Sequence, residues 1–146
     1  MTPFPYRAED VHLTLRPTHQ TREPVEGVLP SFQIDRVSDY FSATYYFSDP
    51  EKPYKDSVII KPRYRVGQVG YVAEPWVEVG DYPCGVILAR DFEHDGRRVF
   101  PAISMPSWAA RTFQRCEGVS VEKADDGWVF VYDWKQITRE EAEAGV

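Results

Sequence analysis

Cysteine is scarce in this chain: its 146 residues hold two, Cys84 and Cys116. A disulfide framework is therefore excluded as the source of stability, and both thiols are expected to be buried in a reducing compartment. Histidine is nearly as rare. His12, His19 and His94 do not fall at zinc-site spacing with either cysteine, so neither a metal nor a cofactor is expected. Long apolar runs are missing too. No stretch approaches the about 18 apolar residues that cross a bilayer, and no secretory apolar segment follows Met1. A cytoplasmic protein with no membrane partner is the expectation. Positive charge is in deficit, with Lys+Arg 17 against Asp+Glu 23, a net charge of −6 and a pI near 5.1. A phosphate backbone is gripped by lysine and arginine releasing counterions, so the chain as a whole is not a nonspecific nucleic-acid binder. A local basic patch, or a pocket for a single base, stays open.

What is present is enough for a core. The chain is 42% hydrophobic and 14% aromatic, of ordinary single-domain size, and shows no repeat or linker, so one domain over residues 1–146 is expected. Met1 to Tyr6, with Pro3 and Pro5, reads as an extended lead-in. Ala8 to Leu15 has the spacing of a short amphipathic helix ended by Pro17, and Thr18 to Pro24 reads as a polar loop. From Ser31 the texture turns to β. Strands are expected over Phe41–Phe47, Ser57–Ile60, Val66–Trp76 (after a turn at Gly67), Gly85–Arg90, Arg111–Val121 and Gly127–Trp134. His94-Asp95-Gly96-Arg97 and Asp125-Asp126-Gly127 have hairpin-turn composition. Ile137 to Ala144 reads as a C-terminal helix, N-capped by Thr138 with acidic residues in its first turn. Many short strands and few helices predict a mainly β (α+β) fold, a small antiparallel β-barrel with short flanking helices.

One segment obeys no periodicity. Phe100-Pro101-Ala102-Ile103-Ser104-Met105-Pro106-Ser107-Trp108-Ala109-Ala110-Arg111 is neither amphipathic helix nor alternating strand, so specific contacts must hold it. With Thr18-His19-Gln20-Thr21-Arg22, Tyr64 to Trp76 and Ile137 to Ala142, it forms an ordered set that resembles the ASCH-domain proteins of bacteriophages and prophages, in the PUA-like superfamily. The resemblance spans nearly the whole chain, and the Met-Pro-Trp loop is its most specific part. It implies a PUA-like barrel with a cleft suited to RNA, a nucleoside or a modified base. One bacterial branch of that family removes the acetyl group from N4-acetylcytidine, using a lysine and a threonine of the early loop and a glutamate of the late helical segment. The resemblance puts the threonine on Thr21 and the lysine position on Thr18. The glutamate position falls on Ala144 or Gly145, with Glu143 the nearest carboxylate. Ala73, Ser107 and Glu23 stand where the phage pattern carries arginines.

These residues favour binding over catalysis. A threonine hydroxyl needs a base to become a nucleophile, and with Thr18 in the lysine position His19 is the one local substitute, although a loop histidine is more often simply solvated. Trp76 and Trp108 offer faces on which a base can stack, Arg22 and Arg111 offer forked donors, and Glu74 offers an acceptor for an exocyclic amine. Against this, both tryptophans could serve as core, and Arg111 could bond loop carbonyls. The expectation is a nucleoside- or RNA-binding ASCH-like domain of phage origin, in the cytoplasm of a bacterial host and without the hydrolase activity. A module that binds a host protein is the alternative, and an amidohydrolase acting on N4-acetylcytidine through Thr21 the third reading.

Overall fold

The computed structural model describes residues 1–38, 43–78, 86–88 and 98–145, the backbone alone at 86–88. Among the described residues, ten strands precede one α-helix: β1 Thr2–Pro5, β2 Thr18–Pro24, β3 Gln33–Ser38, β4 Thr44–Ser48, β5 Val58–Ile60, β6 Val69–Ala73, β7 Trp76–Glu78, β8 Val86–Leu88, β9 Phe113–Ala124, β10 Gly127–Ile137 and α1 Arg139–Ala144. They form a five-stranded sheet of order β1-β6-β9-β10-β2, a three-stranded sheet β3-β4-β5 and a two-stranded sheet β7-β8. The fold is mainly β, as expected. Among the described residues the pairings make three sheets and do not close into a ring.

The chain divides into two compact units, one of Met1–His19, Val69–Arg115 and Lys135–Val146, the other of Gln20–Gln68 and Cys116–Trp134. In the first, β1 lies parallel to β6 (Thr2 opposite Gly70, Phe4 opposite Val72), and β6 runs antiparallel to the start of β9. Gly70 is required there: a Cβ would run into the Thr2 carbonyl oxygen and sit 2.7 Å from a ring carbon of Phe4. The core of this unit gathers Tyr71, Ala73, Met105, Ala110, Phe113, Ile137 and Ala142. Helix α1 starts where the sequence places it. The Thr138 hydroxyl accepts from the Glu141 amide at 3.1 Å, and the Glu141 carboxylate accepts from the Thr138 amide at 3.3 Å, a complete capping box.

The second unit is held by aromatics that alternate along its strands. Phe130, Tyr132 and Trp134, two residues apart on β10, are all buried. Phe130 meets Tyr45 edge-on at 5.4 Å, Phe47 meets Trp128 at 5.5 Å, and Tyr64 meets both Tyr132 (5.1 Å) and Trp134 (5.3 Å). Cys116 is buried as expected, and burial pushes its thiol up to about 11. Cys84 lies outside the described residues.

Three local expectations are corrected. Thr18–Pro24 is strand β2 rather than a loop, because its backbone pairs at the edge of the large sheet and its inward side chains alternate with exposed ones. Ala8–Leu15 is a 3-10 helix, with Val11 and Thr14 as its buried residues. The strand expected from Val66 begins at Val69, since Gly67 turns the chain with φ +88°. The turn expected at His94–Arg97 lies outside the described residues, as do parts of the strands expected at Phe41–Phe47 and Gly85–Arg90.

Candidate functional site

The irregular segment is locked from beneath. Pro101 and Pro106 each precede a single 3-10 turn, Ala102–Ser104 and Ser107–Ala109, and their fixed φ values (−66° and −70°) set the entry to each. Between the turns, Met105 is 2% exposed. Its carbonyl accepts from the Tyr71 hydroxyl at 3.1 Å, and its sulfur lies 3.2 Å from the Glu74 amide. Ala110 is buried too, and its carbonyl accepts from Arg139 Nη2 at 2.8 Å while the Arg139 guanidinium lies over the Phe113 ring. The loop is thus pinned at two buried points, one on each side of the second turn.

Beside the exposed Ser104 and Ser107, the loop turns two large apolar side chains outward. Trp108 is 54% exposed and Ile103 60%. The Trp108 indole has no ring partner and no hydrogen bond among the described residues, so its face is open. Trp76 is half-buried instead. Its ring stacks on Phe100 at 4.5 Å with 19° between planes, its backbone pairs with Phe100 in both directions, and its Nε1 donates to Ser104 Oγ at 3.3 Å.

Glu74 and Arg111 are brought together. Arg111 donates from Nε to Glu74 Oε2 at 2.9 Å and from Nη2 to Oε1 at 2.7 Å. The Glu74 side chain is 2% exposed and that of Arg111 27%. A buried carboxylate is costly unless paired, and the forked guanidinium satisfies both oxygens at once.

His19 is buried rather than solvated, which corrects the expectation for a loop histidine. Its Nε2 lies 2.8 Å from the Tyr6 hydroxyl, and that hydroxyl is 3.1 Å from Gln114 Oε1 and 3.0 Å from Gln114 Nε2. Its Nδ1 is buried with no hydrogen-bond partner among the described residues. Burial, aided by the Arg16 charge, lowers its pKa to about 4. The ring is therefore neutral at pH 7 and too weak a base to activate a hydroxyl. The Tyr6–His19–Gln114 cluster was not visible in the sequence, where Tyr6 belongs to a proline-rich lead-in and Gln114 to a strand far along the chain.

In the second unit, Thr21 Oγ1 accepts from Trp134 Nε1 at 2.8 Å. Arg22 is exposed, with Nη2 3.5 Å from Glu122 and both side chains more than half exposed, a pairing worth little in water. Glu143 sits exposed on α1. No group of three or more His, Cys, Asp or Glu able to hold a metal occurs among the described residues, and no described helix is long and apolar enough to cross a membrane. Four of the expected ligand residues, Glu74, Trp76, Trp108 and Arg111, belong to the first unit and cluster on or beside the Met-Pro-Trp loop. Thr21 and Arg22 belong to the second.

Comparison with known proteins finds no matching family model, no matching curated protein and no matching solved structure. The class these observations define is a β-rich chain that presents an open indole on a locked loop.

Proposed function

We propose that this chain is a nucleoside- or RNA-binding domain of the ASCH type, a PUA-like barrel of phage origin working in the cytoplasm of a bacterial host. The observation that carries this reading is the Trp108 indole, 54% exposed on a loop whose underside is fixed by Met105 and Ala110. A loop backbone fixed before the ligand arrives lowers the ordering cost of binding, and stacking a base on the indole contributes about 1–3 kcal/mol. Trp76 and the Glu74–Arg111 pair support the loop that carries it. Hydrolysis of an acylated cytidine is not part of the proposal, because the Thr21 hydroxyl is bonded to Trp134 and the neutral His19 is a weak base.

A second reading rests on Ile103, 60% exposed on the same loop. Two large apolar side chains exposed on one loop also suit a protein partner, such as a host factor. Titrating the chain at low salt with cytidine, N4-acetylcytidine and short single-stranded RNA, while following tryptophan fluorescence, separates the two. Quenching that is lost in Trp108→Ala supports base binding. A flat response to every ligand overturns it and leaves the protein-binding reading.

A further inference from the structure

The second unit carries a concentration of positive charge that the net charge conceals. From Ser57 to Gln68 there is no carboxylate, while Lys61, Arg63 and Arg65 place three cations within five residues. They account for a local charge of +3 in a chain of −6. All three are exposed, and they alternate with the half-buried Pro62 and Tyr64. None of the three makes an ion pair among the described residues.

The backbone from Arg63 to Gln68 is tied down at several points. The Arg63 amide donates to the Tyr132 hydroxyl at 3.0 Å. Tyr64 is wedged edge-on against Tyr132 and Trp134, and the Arg63 guanidinium lies over its ring, 5.4 Å from the centroid. The Arg65 amide donates to Gln68 Oε1 at 3.2 Å, and the Gln68 amide returns to the Arg65 carbonyl at 3.1 Å. Gly67, at φ +88°, lets the chain reverse so that its amide reaches the Cys116 carbonyl at 2.8 Å. Charged side chains on a solvated loop ordinarily gain nothing from a fixed backbone. Here the fixed backbone carries Arg63 and Arg65, with Lys61 two residues ahead of them.

We propose that the Lys61–Arg65 segment is a binding strip for the phosphodiester backbone of single-stranded nucleic acid. Its charge is complementary to phosphate, and two of its cations are arginines whose planar forks match phosphate oxygens, set on either side of the packed Tyr64 in the chain. The acidic remainder of the chain repels a polyanion elsewhere and confines it to the strip. One carboxylate, the half-buried Glu23, acts electrostatically on Tyr64 and Tyr132. The strip deepens the proposed function and rests on it, since it gives that function a strand rather than a lone nucleoside as ligand.

The test is a salt series of fluorescence-anisotropy titrations with a labelled single-stranded oligonucleotide, comparing the unaltered chain with a Lys61→Gln, Arg63→Gln, Arg65→Gln triple variant. Binding by the variant should be weaker by about tenfold or more at low salt, and its dependence of log K on log salt shallower by about 2, near 0.7 for each lost phosphate contact. The variant should still unfold at an unchanged urea midpoint, since only exposed side-chain ends are altered, and should still bind a free nucleoside as the unaltered chain does. Unchanged affinity and slope in the variant would overturn the strip while leaving base binding at Trp108 standing. Equal competition by a phosphate-free polyanion of matched charge would overturn its assignment to nucleic acid. If the unaltered chain binds neither oligonucleotide nor nucleoside, strip and proposed function fall together.

Discussion

Arg111 meets Glu74 through two hydrogen bonds, Nε to Oε2 at 2.9 Å and Nη2 to Oε1 at 2.7 Å, across a carboxylate that is almost wholly buried. The pair joins the residue after β6 to the end of the Met-Pro-Trp loop and so helps to fix the loop's position. Removing the guanidinium leaves the carboxylate buried without its counter-charge. Arg111→Met should therefore cost about 3 kcal/mol, read as a lowered urea midpoint. Arg111→Lys should recover only part of this, because a point charge cannot occupy both oxygens. The double variant Glu74→Gln, Arg111→Met should be less destabilised than the sum of the two single ones. Additive effects would show that the pair is not a unit.

His19 makes stability depend on pH. Its pKa is about 4 in the fold, against the value near 6.5 of an unfolded chain. Between those values the unfolded chain binds a proton that the folded chain refuses, so stability is complete above about pH 6.5 and falls as the pH drops toward 4. Urea unfolding at neutral pH and at about pH 5 should differ by about 1–2 kcal/mol on this account. In His19→Gln that part of the difference should disappear. An unaltered pH dependence in the variant would assign it to other groups.

Gly70 is the point where β1 closes on β6. A methyl group there meets the Thr2 carbonyl and the Phe4 ring, and neither can give way without breaking the parallel pairing. Gly70→Ala should cost about 3 kcal/mol and speed hydrogen exchange at the amides of β1 before those of β10. Gly67 stands at a turn where an added methyl group would meet nothing within 4 Å. Gly67→Asn should cost about 1 kcal/mol, since asparagine tolerates positive φ.

Thr21 tests catalysis against structure. Its hydroxyl satisfies the indole N–H of the buried Trp134, so Thr21→Val should destabilise by about 1–2 kcal/mol and Thr21→Ser by much less. Incubation of the unaltered chain with N4-acetylcytidine should release no cytidine. Release that vanishes in Thr21→Val but persists in Thr21→Ser would restore the hydrolase reading.

Much of the architecture was written locally. Alternating aromatics marked β10, the Asp125-Asp126-Gly127 turn separated it from β9, and Thr138 with the acidic residues after it marked the start of α1. Each is a short-range property, set by side-chain period or by a cap four residues long. The polar run Thr18–Pro24 failed as a loop because its β structure comes from pairing in the large sheet, which no local propensity records.

The candidate site divides the same way. The irregularity of the Met-Pro-Trp segment is legible locally, since two prolines rule out a continuous helix, and tryptophans, an arginine and a glutamate stand on or near it in the chain order. Their roles come from packing between segments far apart in the chain. Tyr71 and Arg139 reach from distant parts of the chain to the carbonyls of the buried Met105 and Ala110 and pin the loop, and that pinning leaves Trp108 outward while Trp76 turns onto Phe100. The same convergence sets Arg111 against Glu74. Burial and pairing are properties of neighbours in space, and a lone tryptophan or arginine has the same composition whether it faces water or a core.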